Sequence, residues 1–215
     1  MSAVLEPALS ELRARAAGER QPRLIVLSAP SGAGKDTVLR EVRRRNLGLH
    51  VVVTCTTRPR RPEEREGADY QFLSPQAFRD LRTRDELLES AEYAGHSYGT
   101  PKADVREAFA RGEDALLKIE VQGAALVKAR YPQTVMIFLA PPDLPELERR
   151  LRARGVSDPA DLARRLERAR DELAQISHYD YLVVNHVDRV TAAADQVEQV
   201  IRAERCRVGV SPVRL

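Results

Sequence analysis

Residues 29–37 read Ala-Pro-Ser-Gly-Ala-Gly-Lys-Asp-Thr (APSGAGKDT), and the reading of the whole chain turns on them. Before them, residues 24–27 (LIVL) form an apolar run of strand length; after them, Val38, Leu39 and Val42 begin a helical pattern. Ser31-Gly32-Ala33-Gly34 lets the backbone turn its N–H groups inward, and the following helix aims its positive N-terminal end at the same spot. Lys35 adds a full charge where β- and γ-phosphates would lie. The stretch follows the phosphate-binding pattern G-x-x-x-x-G-K-[ST] with two departures: Ala29 replaces the first glycine, and Asp36 replaces the Ser/Thr whose hydroxyl usually reaches Mg²⁺. The bland alternative is an ordinary tight strand-to-helix turn. With strand, glycines, lysine and helix all in order, the stretch reads as a nucleotide phosphate site.

The composition narrows what surrounds that loop. The chain has 215 residues, 43% hydrophobic and 31% charged, enough to bury a core and too apolar for a disordered chain. No apolar run approaches the roughly 18 residues a spanning helix needs, so no membrane association is expected. Residues 1–21 lack the apolar centre of a secretory signal. Cys55 and Cys206 are far apart and in no metal-type spacing, which suits a reducing cytoplasm, and four scattered histidines argue against a His-rich metal site. Of the 35 basic residues only Lys35, Lys102, Lys118 and Lys128 are lysines, and the remaining 31 are arginines, the side chain that grips phosphate oxygens bidentately. Nucleic acid is not expected as a partner: the net charge is only +3, acidic residues are interleaved throughout, and aromatics make up just 5%.

Taken in order, residues 1–22 read as a peripheral helix, with Leu5, Leu9 and Leu12 at helical spacing and a stop near Gly18. A helix is predicted over 36–46 and a strand over 50–54, giving a crossover unit of a parallel sheet. From Thr54 the texture shifts to prolines and an arginine cluster, then a short strand over 70–73 and helical patterns at 75–82 and 85–88, followed by the run 89–98. Residues 102–111 look helical and end at Gly112; 115–121 (ALLKIEV) and 135–139 (VMIFL) read as buried strands. Two Arg-rich helical stretches, 144–154 and 159–176, precede a last strand at 181–184 and a helix at 191–204. This alternation argues an α/β fold, a three-layer core around a parallel sheet with two inserts. The division expected is a peripheral segment 1–22, a core of 23–53, 113–142 and 177–215, an α+β lobe over 54–112, and a helical lid over 143–176.

In sequence order, the segments APSGAGK, TTRPRRPEEREGADYQF, EYAGHSYGT, IEVQGA, FLAPP, RLRARG, RRLERARDE and VVN resemble the guanylate kinase family over about residues 22 to 206. The resemblance implies a P-loop core with an acceptor-binding insert and a lid, and transfer of a phosphoryl group from ATP to GMP with Mg²⁺. Matched position by position, it places ATP on Ala29, Pro30, Ser31, Gly32, Ala33, Gly34, Lys35, Asp36 and Thr37, with Arg150 and Asn185 alongside. It places GMP against Thr54, Arg58, Arg61, Tyr70, Glu89, Tyr98 and Thr100. Guanine offers N1–H and N2–H₂ as donors where adenine has no such pair, so a buried carboxylate at Glu89 would discriminate between them. In the run Arg58-Pro59-Arg60-Arg61, Pro59 stiffens the turn so that guanidiniums, Arg58 and Arg61 among them, converge on one dianion. Lys35, Arg58, Arg154 and Arg165 are the catalytic candidates. No general base is required, because a phosphate monoester has its second pKa at about 6.

Two positions depart from the family. Asp36 stands in place of the hydroxyl, and Lys118 stands where an acid is usual. Period-two alternation over 115–121 would set Lys118, Glu120 and Gln122 on one strand face looking toward the phosphate loop. That placement leaves two roles for Asp36: it either ligates Mg²⁺, directly or through water, or pairs with Lys118. Glu120 would be the retained acid near the metal. The rival readings are a related kinase acting on a phosphorylated sugar such as ribose bisphosphate, and a non-catalytic binding module built on the same fold.

Overall fold

The computed structural model describes residues 2–17, 20–93 and 95–215. Helix α1 (Ser2–Ala16) leaves Leu5 and Leu12 exposed, as a peripheral segment should, and the expected stop near Gly18 lies outside the described residues. Strand β1 (Leu24–Ser28) leads through the glycine loop into α2 (Lys35–Arg43), and β2 (Leu49–Val51) follows. The lobe after it contains β3 (Cys55–Thr56), β4 (Gln71–Phe72), α3 (Pro75–Thr83), β5 (Leu87–Tyr93), β6 (His96–Pro101) and α4 (Lys102–Ala110). The chain then returns through β7 (Asp114–Lys118), α5 (Val121–Arg130) and β8 (Val135–Ala140). Helices α6 (Leu144–Ala153) and α7 (Pro159–Leu173), a 3₁₀ turn, β9 (Tyr181–Val184) and α8 (Val190–Cys206) complete it.

The central sheet has the order β2-β7-β1-β8-β9 with every pairing parallel. Its strands are buried on both faces, so they read as continuous apolar runs rather than alternating ones. Alternation survives only in which layer each side chain enters. Ile25, Leu27, Leu116, Ile137 and Leu139 join α2 and α8 on one side. Leu24, Val26, Ala115, Leu117 and Met136 join α4 and α5 on the other. Truncating one of these, Leu27→Ala for instance, would cost about 2–5 kcal/mol. A second, four-stranded sheet in the order β4-β3-β6-β5 is backed by Phe78 of α3, packed with Cys55 and Leu87. Neither Cys55, which is buried, nor Cys206, which is exposed, is joined in a disulfide.

Three expectations need correction. The strand expected over 50–54 is Leu49–Val51, because the chain peels away toward the second sheet: the Val53 N–H donates to Asp104 Oδ2 at 2.8 Å instead of to a strand. The helical pattern at 85–88 is not a helix. Asp85 has φ of 54°, which breaks helical geometry, and Leu87 and Leu88 open β5, paired with β6. Finally, β7 ends at Lys118 and α5 begins at Val121, so Glu120 and Gln122 do not continue a strand face.

One buried charge ties the ends of the core together. Asp114 is fully buried at the start of β7, accepts from the Arg23 N–H and from Arg205 Nε at 2.8 Å each, and lies 2.8 Å from Arg20. Among the described residues no helix is long and apolar enough to cross a membrane.

Candidate active site

The phosphate loop needs its glycines for two separate reasons. Gly32 (φ 97°) and Gly34 (φ 94°) both adopt left-handed backbone that a side chain disfavours. Each is also approached closely: a Cβ on Gly34 would sit 2.4 Å from Asn185 Nδ2, and one on Gly32 would sit 2.9 Å from Leu147 Cδ1. Asn185 Nδ2 donates to the Ala33 carbonyl at 2.8 Å, and Arg150 donates to the same carbonyl (3.0 Å) and to that of Asn185 (2.9 Å). Arg150 and Asn185 therefore brace the loop from behind. Ala33 is fully buried beneath it, and Thr37 lies exposed on the first turn of α2.

In front of the loop lies a cavity of about 610 Å³, the size of a small-molecule site. Ala29, Pro30, Ser31, Gly32, Gly34, Lys35 and Asp36 form one wall. Thr54, Arg58, Arg61, Tyr70, Glu89 and Tyr98 come from the second sheet and its loops, Lys118 and Glu120 from the end of β7, and Arg154 and Arg165 from α6–α7. The structure thus gathers most of the predicted residues in one place. Ala33, Thr37, Arg150 and Asn185 do not line the cavity, nor does Thr100, which is fully buried and whose hydroxyl donates to Glu89 Oε1 at 2.7 Å. That hydroxyl orients the carboxylate.

Glu89 is 8% exposed and sits where the β5–β6 register shifts, between Leu87 and Ser90. Such an irregularity re-aims a side chain. Burial pushes its carboxyl above the usual range, partly opposed by the Thr100 hydrogen bond. Opposite it, Gly123 of α5 leaves room: a Cβ there would lie 2.8 Å from Glu89 Oε2.

Charge is concentrated at the far end. Burial pulls the Lys35 ammonium below the usual lysine range, with Glu120 and Asp36 opposing, and its Nζ donates to the Ile119 carbonyl at 3.4 Å. Asp36 loses hydration, but Lys118, Lys35 and Arg154 outweigh that and hold it below the usual carboxylate range. Lys118 Nζ lies 3.0 Å from Asp36 Oδ1, so the two departures from the family pattern meet as an ion pair. The expected strand face is absent, yet the turn from β7 into α5 brings Lys118, Glu120 and Gln122 to the same cavity.

Glu64, Glu172 and Arg168 carry no role in the sequence reading, whereas Asp69 belongs there, with Gly67, to the set that frames Tyr70. Glu64 accepts both terminal nitrogens of Arg58 at 2.6 and 3.0 Å, and also the Arg61 N–H at 2.9 Å, fixing the arginine turn and raising the Arg58 pKa. Asp69 accepts the Arg65 N–H at 2.8 Å and shapes the loop that presents Tyr70. Tyr70 and Tyr98 meet edge to face, and burial pushes the Tyr70 hydroxyl to about 12. Glu172 is 5% exposed; burial first, then the neighbouring Glu120 carboxylate, pushes it up to about 7. Arg168 binds Glu172 (3.1 Å) and approaches Glu120 (3.8 Å). The segment RRLERARDE contains Arg168 and Glu172, and their spacing of four on one helix face was the available signal. Among the described residues no three His, Cys, Asp or Glu side chains converge as a metal site.

The comparisons agree with this geometry. A family model described as guanylate kinase matches residues 21–204. The chain is 50% identical over 188 residues to the guanylate kinase of Gloeobacter violaceus, covering 87% of this chain and 91% of that protein. It is 44% identical over 189 residues to that of Desulfitobacterium hafniense, covering 88% and 94%. Among solved structures, guanylate kinase from Anaplasma phagocytophilum superposes with a TM-score of 0.70 at 30% identity, covering 88% of this chain and 89% of that one. A glycine loop braced by Asn185, a buried glutamate across the cavity and an arginine-rich pair of helices over it thus coincide with a match along nearly the whole chain, and the protein belongs to the guanylate kinase family.

Proposed function

We propose that this guanylate kinase moves the γ-phosphoryl of ATP to GMP in the cavity between the phosphate loop and the second sheet. Residues 29–37 hold the donor's phosphates, with Arg150 and Asn185 keeping the loop in shape. Arg58, Arg61, Tyr70 and Tyr98 hold the acceptor's phosphate, while Glu89, backed by Thr100 and flanked by Thr54, reads the guanine edge. In this division residues 23–53, 113–142 and 177–215 form the core, 54–112 the acceptor lobe and 143–176 the lid.

The observation that carries the reading is Glu89. A carboxylate buried at 8% exposure is costly unless something pairs with it. Thr100 satisfies one oxygen, and a pair of N–H donors on a ligand edge would satisfy the other. Adenine and sugar phosphates lack that donor pair.

The chemistry is positioning and charge neutralisation, since the attacking phosphate oxygen is already ionised near neutral pH. Lys35, Arg58, Arg154 and Arg165 face the cavity from three directions and stabilise negative charge spread over the transferring group. Magnesium fits the donor set: Asp36 and Glu120 offer exposed carboxylate oxygens, and this ion usually takes one or two carboxylates, waters and the substrate's own phosphates. When bound, it would neutralise charge on the transferring phosphates. Two cysteines outside any disulfide and nucleotide substrates fit a cytoplasmic setting.

The test is ADP formation with GMP, AMP or ribose 1,5-bisphosphate as acceptor, in wild type and Glu89→Gln. GMP should be the strongly preferred acceptor, and the variant should lose about 10²-fold or more in kcat/KM for GMP. Turnover of ribose bisphosphate with GMP untouched would overturn the assignment, and nucleotide binding without any ADP would favour a binding module.

A further inference from the structure

We propose that Lys118 is a phosphate-binding residue of the transfer site, a second ammonium held by Asp36 between the two halves of the cavity and used only by a ligand that bridges them. The proposal rests on the donor and acceptor assignment above. The end of β7 fixes two cations on one ledge: Lys118 is its last residue, and the next carbonyl, Ile119, accepts Lys35 Nζ. From that ledge Lys118 reaches both sides. Its Nζ is 3.0 Å from Asp36 Oδ1, on the first turn of the phosphate-loop helix, and 5.8 Å from the centroid of the Tyr70 ring in the acceptor lobe. The Arg58 guanidinium lies 5.5 Å from that same ring. Lys118 thus stands one carboxylate away from the donor loop and one ring away from the acceptor's arginine.

Two further observations indicate that the ammonium is held loosely. The Asp36 side chain is 67% exposed, and an ion pair with so open a partner is weak. Glu120, the other acid on the turn, is turned toward Arg168 and Glu172. A phosphate chain running from the loop toward Arg58 passes the one position where Lys118 can exchange a carboxylate oxygen for a phosphate oxygen.

The experiment is equilibrium binding in EDTA of three probes: ADP, GMP, and a bridging compound in which five phosphates join adenosine to guanosine. Lys118→Met should bind ADP and GMP about as wild type does, yet bind the bridging compound about 10-fold or more weakly, the value of a hydrogen bond to a charged group. Lys118→Arg should retain most of that affinity. Asp36→Asn, which releases the ammonium, should tighten the bridging compound more than ADP. Equal binding of the bridging compound by wild type and Lys118→Met, or an equal loss for all three probes, overturns the proposal. So does an Asp36→Asn protein that tightens both ligands alike, a result readable even if the lysine variants do not fold. Wild type that binds ADP but neither GMP nor the bridging compound overturns the acceptor assignment and this proposal together; failure of Lys118 alone leaves that assignment standing.

Discussion

Gly123 and Glu89 occupy one shared space: a Cβ added to Gly123 of α5 would lie 2.8 Å from Glu89 Oε2 and 3.2 Å from its carboxyl carbon. Gly123→Ala is therefore expected to displace the carboxylate while the helix itself gains, alanine being favoured there by about 0.5–1 kcal/mol. The KM for GMP should rise about 10-fold or more with the KM for ATP little changed and thermal stability maintained. Steady-state kinetics beside a melting curve checks this, and an unchanged KM for GMP would remove Glu89 from base recognition.

Glu64 sets the direction of Arg58. Its carboxylate takes both terminal nitrogens of the guanidinium and the Arg61 N–H as well. Glu64→Ala should leave Arg58 to its weaker holds, the Pro59 carbonyl and the Tyr70 and Phe72 rings, raising the KM for GMP about 3- to 10-fold through lost preorganisation, with the KM for ATP unaffected. If instead GMP binds more tightly, removal of negative charge outweighs orientation, and the ion pair is a competitor for the phosphate.

Glu172 gives a pH dependence with a definite sign. Its folded pKa, up to about 7, lies above its unfolded value because burial and Glu120 disfavour the charge. Between about pH 4.5 and 7 the native state holds more protons than the unfolded state, so this group's contribution to stability falls as pH rises. In nucleotide-free protein, Glu172→Gln should gain stability relative to wild type at about pH 8 compared with about pH 5.5. Urea titrations of both proteins at both values test it, and a constant difference between them contradicts it.

Asp114 is expected to be structural. Its buried carboxylate serves Arg20, the Arg23 N–H and Arg205, and Asp114→Asn would leave two guanidiniums short of their counter-charge. A loss of about 3–5 kcal/mol is expected, with the KM values for both nucleotides unchanged well below the melting temperature. Urea unfolding with kinetics at low temperature separates these outcomes.

Legibility varied with how local the cause was. The run LIVL before a glycine loop could be read as a buried strand because length, composition and the following turn all agree. Residues 85–88 misled for the same local reason: Glu and Leu favour helix, but pairing with β6 decides, and Asp85 at φ 54° ends the helical option. Asp36 and Lys118 were each visible as departures from a family pattern, and the parallel β1–β7 pairing brings them together. The bidentate hold of Glu64 on Arg58, the approach of Glu172 to Glu120, and the space Gly123 leaves for Glu89 depend on tertiary placement. No periodicity in the chain announces them.

The contact between Gly32 and the leucines of α6 has a mechanical consequence. Leu147 and Leu151 press on Gly32, and Arg150 on the same helix bonds the Ala33 carbonyl, so α6 and the loop form one welded block. Gly155, at φ 89°, turns the chain from α6 into α7, whose Leu162 and Ala169 pack onto the same Leu147 and Leu151. Arg150 therefore grips the loop from one helix, while Arg165 and Arg168 reach the cavity from another that is packed onto the same leucines, so a push on the loop is felt along the whole roof.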